Sequence, residues 1–172
     1  REQALSRHYD PYWLALDAGT HEAQARQMRA ADEAGEGDKT FSLTAKTDEF
    51  RSVTEVSIFT GDHPGLFSQL AGAFALCGAN IVDAKIFTTT DGMAMDLFSI
   101  QDAEGRPFAD QRRIDRMRDT AIRVLGGEVV PRSVIDAKQV KRREEAFKVE
   151  PRVLVDNSAS DSHTVIEING RD

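Results

Sequence analysis

Cysteine is nearly absent from this sequence, and apolar residues never form a long run. The single cysteine, Cys77, has no second cysteine in the chain to pair with. This excludes an intramolecular disulfide framework and favours the reducing environment of the cytoplasm. No apolar stretch approaches the roughly 20 residues that a membrane-spanning helix needs, and no signal peptide is visible. We therefore expect a cytoplasmic protein without a membrane segment.

Catalytic signatures are missing as well. The sequence contains no Gly-x-x-x-x-Gly-Lys-Ser/Thr phosphate loop, no Gly-x-Gly-x-x-Gly fingerprint and no Gly-x-Ser-x-Gly elbow. No histidine lies four residues from another, or from a helical carboxylate, as a metal site would require. The histidines are His8, His21, His63 and His163. We expect neither a catalytic site nor a metal site within these residues.

Basic residues are outnumbered by acidic ones. The formal net charge is −7, from 22 lysines and arginines against 29 aspartates and glutamates. This balance argues against general nucleic-acid binding, and the basic run at 138–145 is more typical of a solvated helix face. With 40% hydrophobic residues over 172 positions, the chain can fill one ordinary core. We expect one domain with appendages, or one and a half small domains.

The spacing of apolar residues predicts an α+β fold. Alternation of apolar and polar residues predicts strands, and apolar residues at every third or fourth position predict helices. The predicted elements are strands at Phe41–Ala45 and Val53–Thr60, a helix from Leu66 to Cys77, strands at Asn80–Thr90 and Met93–Ile100 around an Asp91-Gly92 turn, and a helix from Asp110 to Leu125 with Ile122 facing inward. One further strand would complete the βαββαβ order of ferredoxin-like folds.

Two segments can supply that closing strand. Glu128–Val130 follows the last helix directly but is very short, whereas Lys148–Val155 is longer and alternates valine with polar residues. We prefer Lys148–Val155, with 136–147 as an inserted charged helix.

Residues 1–38 are expected to form a helical segment and a linker. A short helix can start at Asp10-Pro11, and a second helix can be capped by Thr20 and stopped by Gly35. The apolar stripe of the second helix consists mostly of alanine, which predicts packing on a neighbouring domain. The acidic, glycine-containing stretch 32–38 is the linker candidate.

The pattern of the Val53–Thr60 strand returns near the end of the sequence. Thr54, Val56, Ile58 and Asp62 recur as Thr164, Ile166, Ile168 and Asp172, all at an offset of 110 residues. Such an internal repeat predicts a second copy of the same unit. We therefore expect a first domain at 39–158, the start of a second at 159–172, and both ends to be cuts in a larger protein.

The best candidate site is the loop Asp62-His63-Pro64-Gly65-Leu66, which joins a predicted strand to a helix. Backbone N–H groups at a helix N-terminus suit a carboxylate or another small anion. Taken alone, the loop is explained more simply by structure, with Asp62 as the helix cap and Pro64 in its first turn. Asn80-Ile81 would add polar groups from the next strand. It lies at the opposite end of the helix, so the two segments meet only where two such domains pair.

These segments resemble the ACT domain family. The run 53–67 is similar to the first ACT strand and helix start. The segment 73–96 more specifically resembles the first of two ACT domains at the C-terminal end of the bifunctional uridylyltransferase/uridylyl-removing enzymes, which act on the PII signal protein. Other segments resemble the region after the HD domain of these enzymes, the stretch between their ACT domains and the start of the second one; they are 8–14, 141–147, 151–157 and 164–172.

The resemblance implies a regulatory role. In this family a nucleotidyltransferase domain adds uridylyl groups to PII, an HD domain removes them, and the ACT pair senses glutamine. Magnesium is implied for the catalytic domains only, and no cofactor for this chain. The implied ligand residues are Asp62, His63, Pro64, Gly65, Leu66, Asn80 and Ile81, and Asp172 is the matching aspartate of the second copy. The alternative is an ACT-type docking module that binds protein partners and no amino acid of its own.

Overall fold

The computed structural model describes residues 6–35, 40–131, 152–156 and 165–169. The chain divides into two compact units, Arg1–Ile135 and Asp136–Asp172, and each is described by itself. The described elements of the first are helices α1 (Asp10–Ala15) and α2 (Ala18–Ala34), strands β1 (Phe41–Asp48) and β2 (Val53–Gly61), helix α3 (Leu66–Leu76), strands β3 (Asn80–Lys85) and β4 (Met93–Gln101), and helix α4 (Gln111–Leu125). Those of the second are strands β5 (Arg152–Asp156) and β6 (Val165–Asn169).

The two N-terminal helices begin and end at residues whose chemistry favours those positions. Pro11 lies in the first turn of α1, where its missing N–H costs no helical hydrogen bond. The predicted cap of α2, Thr20, is wrong. Asp17 caps the helix instead, because its carboxylate accepts a hydrogen bond from the Thr20 N–H at 3.0 Å. Gly35 ends α2 as predicted, in the left-handed conformation at φ +70°.

The first unit is built on an antiparallel four-stranded sheet with the order β1-β2-β4-β3. Strands β1 and β2 form a hairpin in which Leu43 pairs with Ile58. Strand β4 pairs with β2 on one side and with β3 on the other. The predicted α+β class is confirmed, with sheet and helices in a ferredoxin-like arrangement.

The closing strand differs from the prediction. The place beside β2 is filled by β1, which precedes it in the chain, and the preference for Lys148–Val155 is wrong. The alternative, Glu128–Val130, forms no strand either. A tight turn brings β1 back along β2, so the pairing costs little loop-closure entropy. The described elements of this unit therefore follow the order ββαββα after the two N-terminal helices.

One face of the sheet is covered by α3 and α4. The fully buried side chains of this core include Ile58, Leu70, Phe74, Phe98 and Met117. The predicted inward position of Ile122 is wrong, since its side chain is 48% exposed and the neighbouring turn buries Val124 instead. Asp110 caps α4 by accepting from the Arg112 N–H at 2.9 Å.

The other face of the sheet is covered by α1 and α2. Tyr12, Met28 and Ala31 pack against Phe59 of β2 and Met95 of β4. The prediction that α2 packs on a neighbouring domain is therefore wrong, because its partner is the sheet of the same unit. The sheet is thus buried on both faces, between two helices on one side and two on the other.

Glutamines explain why the apolar stripe of α2 is weak. Gln24 and Gln27 are buried against the sheet, at 1% and 5% exposure, where an apolar residue would be expected. The Gln24 amide accepts from the Tyr12 hydroxyl at 2.8 Å and donates to Ser57 at 3.2 Å. The Gln27 amide donates to the carbonyl of Ser57 at 3.1 Å. Buried polar groups are tolerated where they are hydrogen-bonded in this way.

The second unit repeats the first hairpin. Strand β5 pairs with β6 so that Val153 faces Ile168, just as Leu43 faces Ile58 in the first hairpin. All five described pairs of the second hairpin match pairs of the first after a shift of 110 residues. The repeat seen in the sequence for the β2 pattern therefore extends to the strand that precedes it in each hairpin.

Several sequence predictions lie outside the described residues. They are the charged helix at 136–147, residues 36–38 of the predicted linker, and Asp172; the first three linker residues form the end of α2 instead. The domain boundaries at 38/39 and 158/159 remain predictions.

Candidate functional site

The loop between β2 and α3 forms a tight turn. The Leu66 N–H donates to the His63 carbonyl at 3.1 Å, with Pro64 and Gly65 as the central residues. Gly65 has φ +88° and ψ −1°, the left-handed conformation that a type II turn requires at its second central position. Proline pre-sets the position before it. The Pro-Gly pair therefore fixes the direction in which α3 leaves the sheet.

Asp62 does not cap α3, which corrects the structural interpretation of this loop. Gly65 is the N-cap residue, and no side chain forms a capping hydrogen bond there. The Asp62 carboxylate instead accepts from the Thr88 hydroxyl at 2.6 Å, and the Asp62 N–H donates to the Gly92 carbonyl at 3.1 Å. The aspartate thus fastens the loop to the β3–β4 connection and leaves the helix end without a side-chain acceptor.

A groove of about 690 Å³ lies next to this loop. Asp62 and His63 line it, whereas Pro64, Gly65 and Leu66 belong to the adjoining turn. The other lining residues come from the start of β1, the end of β2, the β3–β4 connection and the C-terminal turn of α4; they are Thr40, Phe41, Thr60, Gly61, Asp91, Gly92, Met93, Ile122, Leu125 and Gly126. Four separate parts of the fold therefore meet around the predicted loop.

One helix end lines the groove and the opposite end of another helix lies beside it. Helix α3 starts just after the loop, and the last turn of α4 lines the groove. A helix N-terminus favours negative charge and a C-terminus favours positive charge. Asp62 and Asp91 add two carboxylates. The groove therefore presents a helix C-terminal end and two carboxylates, with the N-terminal turn of α3 beside it.

Asn80 and Ile81 do not join this groove. They form the start of β3, beyond the C-terminal end of α3, where Asn80 pairs with Gln101 of β4. One unit therefore keeps the two predicted halves of the site apart, as the sequence analysis expected. Whether a second unit brings its own Asn80 equivalent to the loop stays a prediction.

The hairpin tip, Thr88–Gly92, was not among the predicted site residues. It bonds the loop through Thr88 and Gly92 and lines the groove with Asp91 and Gly92. In the sequence this tip is three threonines followed by Asp-Gly, read only as a strand end and a turn. The concentration of hydroxyl groups next to a tight turn was the available signal.

The comparisons with known proteins give one consistent result. The curated bifunctional uridylyltransferase/uridylyl-removing enzyme of Rhodospirillum rubrum is 45% identical over 174 residues, which cover 100% of this chain and 18% of that enzyme. The enzymes of the same name from Azospirillum brasilense and Ruegeria pomeroyi are 44% and 40% identical, over 99% and 98% of this chain and 18% of each enzyme. No protein-family model and no solved structure matches the chain.

Over essentially its whole length, the chain is homologous to one part of the bifunctional uridylyltransferase/uridylyl-removing enzymes. It spans about a fifth of the length of these relatives, 18% in each of the three. Among the residues that the structure describes, no three histidine, cysteine, aspartate or glutamate side chains converge to hold a metal ion. None of the described helices is long and apolar enough to cross a membrane.

A further carboxyl group, that of Asp96, lies buried near the Asp62 loop. Asp96 of β4 is 1% exposed and accepts a hydrogen bond from the Phe87 N–H at 3.3 Å. Burial, as the larger cause, and the negative charge of Asp62 together raise the pKa of Asp96 to about 7, against the opposing effect of the Phe87 N–H. The Asp96 carboxyl therefore changes its protonation state near neutral pH.

Replacing Thr88 by valine is expected to loosen the Asp62 loop. The change removes the hydroxyl that donates to Asp62 and keeps the β-branched shape. We expect a loss of about 1 kcal/mol in the free energy of unfolding, since one solvent-exposed hydrogen bond is lost. Urea denaturation measures it, with Thr120→Val as control, because the Thr120 hydroxyl bonds to a carbonyl of its own helix. Equal losses in both variants would contradict a specific role for Thr88.

Proposed function

We propose that this chain is the glutamine-sensing regulatory region of a bifunctional uridylyltransferase/uridylyl-removing enzyme that modifies the PII signal protein. The observation that carries the proposal is the 40–45% identity to such enzymes over essentially the whole chain. The ferredoxin-like arrangement, the tight turn before α3 and the repeated hairpin support a tandem ACT region. The chain would lie in the C-terminal part of the enzyme, in the cytoplasm.

Glutamine would be recognised by its charged ends. Its carboxylate would approach the N-terminal turn of α3 beyond Gly65, where no side chain competes for the helix end. Its ammonium group would lie towards Asp62, and a second unit would contribute residues equivalent to Asn80-Ile81. The catalytic domains, with their magnesium, would lie elsewhere in the enzyme. Glutamine would favour one arrangement of the domains through a difference in affinity between two states.

The competing proposal is a docking module without an amino-acid ligand. The exposed apolar side chains of Val82 and Ile86, at 51% and 47% exposure along the edge strand β3 and just after it, favour that alternative. A ligand that binds only the native state raises the melting temperature, whereas a docking module is indifferent to it. The melting temperature with and without millimolar glutamine therefore separates the two proposals.

The direct test is calorimetry on a protein that contains both whole repeats. Gly65→Val is expected to lower glutamine affinity at least about tenfold, because a β-branched residue at φ +88° strains the turn that starts α3. Asp62→Ala is expected to lower it as well. Gly105→Val is the matched control, since Gly105 has φ +74° in a loop that does not line the groove. Unchanged affinity in Gly65→Val and Asp62→Ala would refute the loop as the binding site.

A further inference from the structure

The N-terminal segment, Ser6–His8, is fastened to the hairpin tip. The Thr90 N–H donates to the Arg7 carbonyl at 2.9 Å, and the Thr90 hydroxyl donates to the Ser6 carbonyl at 3.1 Å. Arg7 adds an ion pair, with its Nη2 at 2.8 Å from Asp91 Oδ2. The segment Ser6–His8 thus contacts the hairpin tip through two backbone carbonyls and the Arg7 guanidinium.

Arg7 also reaches α2. Its Nη1 lies 2.7 Å from Asp32 Oδ2, in the last turn of that helix, and its guanidinium stands 5.3 Å over the ring of Phe59. The Arg7 side chain is only 18% exposed. A partly desolvated guanidinium between two carboxylates holds its partners more firmly than an exposed pair does. Arg7 therefore joins the N-terminal segment, the end of α2 and the hairpin tip.

The hairpin tip holds the candidate loop from its other side. The Thr88 hydroxyl and the Gly92 carbonyl bond the side chain and the N–H of Asp62. Within the tip, the Thr89 hydroxyl is buried and donates to Asp91 Oδ1 at 2.6 Å, and it accepts from the Met93 N–H at 2.9 Å. These hydrogen bonds join Thr89, Asp91 and Met93 within the tip. We therefore expect a displacement of the tip on its Arg7 side to displace its Asp62 side as well.

Asp91 contacts both the groove and Arg7. It lines the groove next to Asp62, and it is also the partner of Arg7. Its side chain is 49% exposed, so a cation in the groove can reach it. An ammonium group near Asp91 would share the carboxylate with Arg7 and weaken the hold of Arg7 on the tip.

We propose that Arg7 couples the Asp62 loop to the N-terminal segment, as a positioning residue. We call its ion pairs with Asp91 and Asp32, together with the Thr90–Arg7 backbone hydrogen bond, the clamp. The structure shows the closed clamp. A ligand ammonium group at Asp91 favours an open clamp, in which Ser6–His8 leaves the tip. The ligand-dependent half rests on the proposed function, whereas the coupling between loop and segment rests on the contacts alone.

The coupling predicts an effect at Asp62 from a change at Arg7, which Asp62 does not contact. Arg7→Gln is expected to speed amide hydrogen exchange about tenfold at Thr90 and at Asp62, because loss of the ion pair loosens the tip. The Thr90 N–H bonds the tip to the Arg7 carbonyl, and the Asp62 N–H bonds the Gly92 carbonyl of the tip. Exchange is followed residue by residue by NMR, without ligand. Arg26→Gln is the control, since Arg26 pairs with Glu22 on the exposed side of α2. Asp32→Asn, which removes the second carboxylate of Arg7, is expected to change both amides in the same direction by less.

Faster exchange at Thr90 with no change at Asp62 would overturn the clamp, and so would no change at either. If Arg7→Gln does not fold, Asp32→Asn decides the same question.

Glutamine titration of the protein that contains both whole repeats, and of its Arg7→Gln variant, then separates this proposal from the proposed function. In the unaltered protein, glutamine is expected to speed exchange at Thr90. In Arg7→Gln it is expected to bind at least as tightly and to change Thr90 no further, since the clamp no longer has to be opened. Binding without any effect at Thr90 would overturn the ligand-driven clamp and leave glutamine sensing intact. No binding to the unaltered protein would refute glutamine sensing, and the exchange rates without ligand would still decide the coupling.

Discussion

Asp96→Asn is expected to stabilise the protein at pH 8 by about 2 kcal/mol in the free energy of unfolding. A shift from 3.8 to about 7 in the pKa of Asp96 corresponds to about 4 kcal/mol of cost for the ionised, buried form. We halve this value because the asparagine amide brings N–H donors that need partners in the same buried place. The asparagine oxygen still accepts from the Phe87 N–H.

The sign of the pH dependence follows from the direction of this shift. The folded pKa of Asp96 lies above the unfolded one, so between about pH 4 and pH 7 the folded protein binds the proton that the unfolded chain has released. The contribution of Asp96 to stability therefore falls as pH rises through this window and stays low above it. Asp96→Asn should remove this slope. Urea denaturation from pH 4 to pH 8 measures it for both proteins.

Asp102 provides a control of opposite sign. Hydrogen bonds hold its pKa below the usual range, the one from the Arg106 N–H first and then the one from the Glu104 N–H. Asp102 therefore contributes stability above the pKa of the unfolded chain, and that contribution disappears as pH falls through the folded value. Asp102→Asn should destabilise the protein at neutral pH. A destabilising effect of Asp96→Asn at pH 8 would show that the Asp96 carboxylate is better solvated than its burial indicates.

The local elements of the first unit were predictable from the sequence, because periodicity and turn residues specify them. The helix stop at Gly35 and the turn at Gly92 follow from the left-handed conformation that glycine adopts there. The α4 helix follows from its apolar spacing and from the aspartate that caps it. These features depend on neighbouring residues only.

Long-range pairing was not predictable in the same way. Both Phe41–Asp48 and the segment around Arg152–Asp156 alternate well enough to lie beside β2. What decides between them is the tight turn that folds β1 back on β2, and the presence of β6 as a partner for β5. Each of the two hairpins thus pairs a strand with the strand that precedes it in the chain.

In the candidate site, too, the local turn was predictable and the long-range contacts were not. The turn at Pro64-Gly65 is local, and the sequence indicated it. The roles of Asp62, Thr88 and Arg7 arise from contacts between segments far apart in sequence, at separations of 26 and 84 residues for the bonds that Thr88 and Thr90 make. Sequence reasoning assigned Asp62 to the nearest helix, whereas in the fold it bonds a hairpin on the neighbouring strand.

The burial of α1 and α2 on the sheet predicts a second large change in the free energy of unfolding. Phe59→Ala is expected to lower the free energy of unfolding by about 3–5 kcal/mol, the usual cost of emptying a phenylalanine site in a core. Phe59 is 1% exposed, packs with Tyr12 and Met28, and carries the Arg7 guanidinium over its ring. Urea denaturation followed by the fluorescence of Trp13, the only tryptophan of the chain, reads the change beside this cluster.

Phe50→Ala is the matched control, because Phe50 is 98% exposed in the turn between β1 and β2 and should change stability by less than about 0.5 kcal/mol. Phe74→Ala, in the core on the opposite face, should cost as much as Phe59→Ala. If Phe74→Ala is severe while Phe59→Ala costs less than about 1 kcal/mol, the N-terminal helices do not pack on this sheet in solution. The clamp at Arg7 would then lose its support, since Arg7 contacts Phe59 and Asp32 only when α2 lies on the sheet.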